Sequence, residues 1–177
     1  MRAATDPVRM VPVWDRFVRV FHWSLVGLIA AAWLTEDLKR VHHWIGYTVL
    51  ALVAARLVWG VIGSPHARFA DFVAGPARIS AYLRDLLHGT ERRYLGHNPA
   101  GGAMIVALLT AILVTCVSGW LMLTDRFWGS ETMENIHEVA ATVILVLVAG
   151  HVAGVVWESL RHRENLVRAM ITGRKRA

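Results

Sequence analysis

The chain has 177 residues, of which 55% are hydrophobic and 18% charged, with a mean hydropathy of +0.43. Soluble domains are about 45–50% apolar and about 25% charged, so the composition points to a membrane protein of one domain's length. The formal net charge of +6 comes from arginines outside the apolar segments, a pattern that bilayer orientation explains without a nucleic-acid partner. The single cysteine, Cys116, lies inside an apolar run; it allows no intrachain disulfide and no cysteine-based metal site, and is expected to be a small packing residue.

Taken in order, the chain opens on a basic stretch with Arg2, Arg9 and Arg16, and Arg19 at its edge. The first apolar segment begins near Val18 and lacks a small-residue cleavage site, so it is expected to remain as a membrane anchor rather than a cleaved signal peptide. A helix needs roughly 20 mostly apolar residues, about 17–25, to cross the hydrocarbon core. Four segments meet this: Val18–Leu34, Trp44–Ile62, the uncharged Met104–Leu123, and Val139–Trp157. Between the second and third, Pro76–His88 has the pattern of an amphipathic helix, with Ile79, Leu83, Leu86 and Leu87 on one side. Such a helix lies along the membrane interface or packs on the loops as a short soluble helix. No segment alternates in the manner of a membrane barrel. The expected fold is therefore all-α: one domain over residues 1–177, built as a bundle of four transmembrane helices.

Loop charges set the orientation. The second loop carries Arg68, Arg78, Arg84, Arg92 and Arg93, and the tail Arg161, Arg163, Arg168, Arg174, Lys175 and Arg176. The first loop has only Lys39 and Arg40, and the third only Arg126. Short basic loops stay on the cytoplasmic side, which places both termini and the second loop inside and the first and third loops outside.

Nine histidines are present, and His22, His42 (with His43 beside it), His137 and His151 fall in or at the ends of the spans. Ionisable residues at membrane depth are costly and face the bundle interior. His137 and His151 are fourteen residues apart on the fourth helix, which returns them to nearly one face, roughly 21 Å apart along the axis. His22 is early in an outward-running helix and lies level with His151 on the inner side. His42 and His137 each open an inward-running helix on the outer side. Two level-matched pairs result, each drawn from two helices, as axial ligation of two haems stacked across the bilayer requires. Adjacent residues point about 100° apart, so only one of His42 and His43 can ligate. The other, with His66, His88, His97 and His162, is expected at the surface or interface.

Gly46 follows His42 by one turn, and Gly150 and Gly154 flank His151. They either admit a flat macrocycle or serve ordinary small-residue helix packing. Arg56, fourteen residues after His42, either pairs with a propionate of the inner haem or snorkels to the interface. The eight tryptophans, among them Trp14, Trp23, Trp33, Trp44, Trp59, Trp128 and Trp157, lie mostly near span ends, as an aromatic belt would.

The stretches VWDRFVRVFHW (13–23), HHWIGYTVLALVAARLVWG (42–60), YLGHNPAGG (94–102) and IHEVAATVILVLVAGH (136–151) together resemble the bacterial cytochrome b561 family. They are most similar to the branch containing the b-type cytochrome subunits of nickel–iron hydrogenases. The resemblance spans nearly the whole chain and implies a multi-pass protein of the bacterial inner membrane. It further implies two bis-histidine b haems, with ligands at His22 in Phe-His-Trp, His42 in His-x-x-x-Gly, His137 and His151. His43 stands where the family pattern has no second histidine. Members pass electrons between membrane quinone or quinol and an outer partner: a hydrogenase, a periplasmic c-type cytochrome or, in one branch, superoxide. The third loop, with Asp125, Phe127, Trp128, Glu131 and Glu134, is either a docking edge for such a partner or, as preferred here, a solvated loop.

Three functions compete on the sequence. The first is a dihaem electron-transfer subunit between quinone and a redox protein, and the second a self-contained quinone-linked oxidoreductase acting on a small substrate. The third is a histidine-lined metal-ion transporter, for which Glu138 beside His137 is the one suggestive carboxylate.

Overall fold

A computed structural model describes residues 9–177; Arg2 of the basic amino-terminal stretch lies outside them. Four long helices, α1 (Arg16–Leu34), α2 (Lys39–Ile62), α5 (Pro99–Leu121) and α6 (Glu131–Arg161), are long and apolar enough to cross a membrane. Much of their apolar surface faces outward: Val61 is 71% exposed and Val146 67%. In water such a surface would drive association, whereas in lipid it is the expected contact. The bundle is an all-α membrane protein. Its common core joins Phe21, Val49, Val53, Leu109, Ala111, Ile112 and Ile144 from all four helices, and Val53 is fully enclosed.

Polar residues at the helix ends set the boundaries. Asp15 caps α1 by accepting from the Val18 N–H at 2.8 Å. Its other oxygen accepts from Trp59 Nε1 at 2.9 Å and Ser64 Oγ at 2.6 Å, tying the start of α1 to the end of α2. Asn98 caps α5 through the Gly101 N–H at 2.6 Å, with Pro99 in the first turn, where a missing N–H costs nothing. This cap starts the third long helix five residues before Met104, where the apolar run begins. The fourth long helix likewise begins at Glu131, because Glu131 and Glu134 favour a helix amino terminus. Half of the third loop is therefore helix.

The second loop folds as a turn of helix α3 (Phe69–Phe72) and helix α4 (Pro76–His88), which ends at Gly89 with φ +68°. Tyr82 is the buried residue of α4, while Leu83 and Leu87 are exposed. Tyr82 donates to Glu158 of α6 at 2.5 Å and accepts from Asn98 Nδ2 at 2.8 Å. These bonds fasten α4 to α5 and α6. After α6 come the short helix α7 (Leu166–Thr172) and strand β2 (Arg174–Arg176), which pairs antiparallel with β1 (Met10–Pro12). The clasp closes over Glu164. That carboxylate accepts from the Arg176 N–H at 2.9 Å and from Arg93 at 3.2 Å, with Lys175 Nζ at 3.8 Å. The bundle thus has a terminal end, where the clasp and the second loop lie, and an opposite end.

Candidate haem-binding sites

Helix α6 packs along α5, α5 on α2, and α2 on α1, but α6 makes no comparably close packing with α1 or α2. Histidine rings reach across the two slots this leaves. Toward the terminal end, His22 of α1 and His151 of α6 face each other with ring centroids 6.4 Å apart and planes at 52°. Toward the opposite end, His42 of α2 and His137 of α6 lie 6.1 Å apart at 70°. A metal–imidazole bond of about 2.0–2.1 Å on each side, plus about 1.2 Å from nitrogen to ring centre, gives about 6.4–6.6 Å for two rings across one metal. The terminal-end pair has that spacing and the other is a few tenths of an ångström shorter. Among the described residues, no group of three or more His, Cys, Asp and Glu is placed to hold a metal ion. Neither pair therefore has the further protein ligands of a tetrahedral zinc site.

The opposite-end rings are oriented by backbone. His42 Nδ1 lies 3.0 Å from the Ala32 carbonyl of α1, and His137 Nδ1 lies 2.9 Å from the Thr115 carbonyl of α5. A carbonyl at Nδ1 fixes the N–H there and leaves Nε2 free as a ligand, the usual outer-shell arrangement of metal-binding histidines. His43 makes no such contact among the described residues and faces no second histidine. His137 also needs Gly119: a Cβ there would come 2.9 Å from the ring's Cε1 and 3.1 Å from Nδ1. Sequence reasoning missed Gly119, because its partner sits on another helix.

Small residues near the paired histidines have room beside them. A Cβ added at Gly46 or Gly154 would meet nothing within 4 Å, and one at Gly150 only the flexible end of Met104, at 3.3 Å. At Gly46 and Gly154, therefore, no neighbouring helix packs closely against the backbone.

Arg56 does not snorkel. It is 3% exposed, donates through Nη2 to the Ala67 carbonyl at 3.0 Å, and holds its guanidinium 5.2 Å from the Phe69 ring centre. Its Nη1 is sealed from solvent without a partner, and no carboxylate lies within ion-pair distance of it among the described residues. Nor is His97 a surface residue. Its ring lies 4.6 Å from Trp14 and 4.8 Å from Phe72, and its Nδ1 is sealed and unpartnered. Burial first, and the Arg56 charge second, push the imidazole down to about 3, so it is neutral. His162 is half-buried beside Glu158 at 3.2 Å, His66 pairs with Asp71 at 3.2 Å, and His88 is exposed. Trp14 and Trp59 also leave the aromatic belt, one packed on His97 and the other bound to Asp15. Trp44, Trp128 and Trp157 remain exposed near span ends.

The sequence pattern of prokaryotic cytochrome b561 matches residues 13–173. The chain belongs to that family. As a b-type cytochrome with four membrane-crossing helices, it holds haem b and transfers electrons within the membrane. Similar proteins include three described as "Probable Ni/Fe-hydrogenase B-type cytochrome subunit". One from Rhizobium leguminosarum bv. viciae is 21% identical, with 93% of this chain and 88% of the relative covered. One from Azotobacter vinelandii is 24% identical over 80% and 69%. One from Cupriavidus necator is 23% identical over 97% and 89%.

Proposed function

We propose that this cytochrome carries electrons across the bacterial inner membrane through two bis-histidine b haems, one held by His22 and His151 and the other by His42 and His137. The observation that carries the reading is the ring spacing of the two pairs, 6.4 and 6.1 Å, in slots that α6 leaves against α1 and α2. The positive-inside distribution puts the terminal end, with Arg56 and the clasp, in the cytoplasm and the opposite end in the periplasm.

Haem held by these two histidine pairs would supply one-electron chemistry. The protein does the rest. The carbonyls of Ala32 and Thr115 orient the outer imidazoles, and Gly46, Gly150 and Gly154 leave room for the macrocycle edges. Arg56 offers a buried positive charge to an inner propionate, which favours the reduced state. Membrane quinone or quinol is the proposed partner on one side. On the periplasmic side it is a redox protein, either of the hydrogenase type suggested by the relatives' names or a c-type cytochrome. The exposed Asp125, Glu131 and Glu134 offer that partner an acidic edge.

The test is haem reduction by a quinol analogue such as duroquinol in proteoliposomes, followed spectroscopically. Both haems are expected to be reduced, and then reoxidised by an acceptor confined to the compartment facing the third loop. Reduction by dithionite but not by any quinol would overturn the quinone-linked reading.

A further inference from the structure

We propose that His97 is a second propionate donor of the inner haem, acting with Arg56 as a two-residue clamp on the carboxylate edge that faces the cytoplasm. The inference rests on the dihaem reading and extends it to a residue that no axial role explains.

Among the sealed polar atoms without a partner at this end of the bundle are Arg56 Nη1 and His97 Nδ1, the two that flank the Phe69–Phe72 pair. Buried polar groups are almost always hydrogen-bonded, and each exception calls for an explanation such as a bound group. Both are fixed rather than adaptable. Arg56 is held by the Ala67 carbonyl and the Phe69 ring, and His97 is gripped by Trp14 and Phe72. Phe69 and Phe72 contact each other, with ring centroids 5.7 Å apart, so one short segment braces both donors.

The level is also right. Arg56 lies fourteen residues beyond His42 on α2, the same rise that separates His137 from His151 on α6, so it stands level with the inner pair, and His97 just precedes α5 at that end of the bundle. The Arg56 guanidinium lies over Phe69 and the His97 ring against Phe72, so the two donors flank one aromatic pair and are placed to share one anion. A guanidinium brings charge and a neutral imidazole donates one N–H, and a carboxylate accepts from both. The positive end of the α5 dipole, beginning at the Asn98 cap, adds the same preference.

The experiment compares His97→Phe, His97→Asn and Arg56→Gln with wild type as purified holoprotein, by haem content and potentiometric titration. Phenylalanine keeps the packing between Trp14 and Phe72 and removes only the donor, while asparagine restores one. In H97F, the midpoint that also moves in R56Q is expected to fall, with the other unchanged, and that haem is expected to be lost more readily on detergent washing. H97N is expected to recover part of the shift.

Unchanged midpoints and haem retention in H97F would overturn the clamp and leave the dihaem reading intact. Equal movement of both midpoints would also overturn it, because it reports loosened packing. So would a raised KM for quinol with midpoints unchanged, which would assign the donors to a quinone carbonyl. Fewer than two haems in the wild type would instead remove the dihaem reading on which the clamp stands.

Discussion

Adjacent histidines on one helix make the sharpest test at the level of single residues. His42 has its Nδ1 on the Ala32 carbonyl and its ring opposite His137, whereas His43 has neither. His42→Ala is therefore expected to lose one haem per chain and His43→Ala none, measured as the pyridine adduct; the reverse would reassign the outer ligand. Arg56→Gln removes a buried positive charge and is expected to shift one haem's ferrous/ferric equilibrium about tenfold toward ferric, a fall of about 59 mV for one electron. A redox titration checks this, and two unmoved midpoints would contradict it. The four paired histidines were legible because a costly residue at membrane depth stands out against an apolar background. His97 was not, since its burial comes from Trp14 and Phe72, distant in sequence and joined only by the fold. Arg56 was visible as a charge in a span, but the sequence left its direction open; the Ala67 carbonyl and Phe69 ring decide it.

Helices carry the slots. The four apolar runs were plain in the sequence because bilayer thickness dictates their length. Their true ends were less plain, because polar caps such as Asn98 and first-turn acids such as Glu131 extend α5 and α6 beyond their apolar runs. The close approach of α5 to the outer histidine depends on Gly119, where no neighbouring residue hints at the ring it faces. A Gly119→Val variant would drive its side chain into the His137 ring and break the bond to the Thr115 carbonyl. The expected outcome is loss of the outer haem, with the Arg56-responsive haem retained. Two haems with wild-type midpoints in that variant would show that α5 does not set the ring's position.

For the molecule as a whole, the β1–β2 clasp and the Glu164 network close the terminal end of the bundle, the end nearer the His22–His151 pair. Burial works to raise the Glu164 carboxyl, but the Arg176 N–H, Lys175 and Arg93 outweigh it and hold it below the ordinary carboxylate value. A lowered folded-state pKa gives stability that is present above the unfolded value, about 4.3 for glutamate, and is lost as pH falls through the lower folded value. Tryptic cleavage in Arg174–Arg176 of purified protein is therefore expected to be slow at neutral pH and faster in Glu164→Gln. Equal rates in the two would contradict the clasp. The dihaem centre itself is tested most directly by a reduced-minus-oxidised optical spectrum of the detergent-purified protein, with haem quantified per chain as its pyridine adduct. The predicted result is two b-type haems per chain with no carbon monoxide binding, as expected if His22, His151, His42 and His137 hold the two groups. One haem, or a haem that binds carbon monoxide, would contradict it.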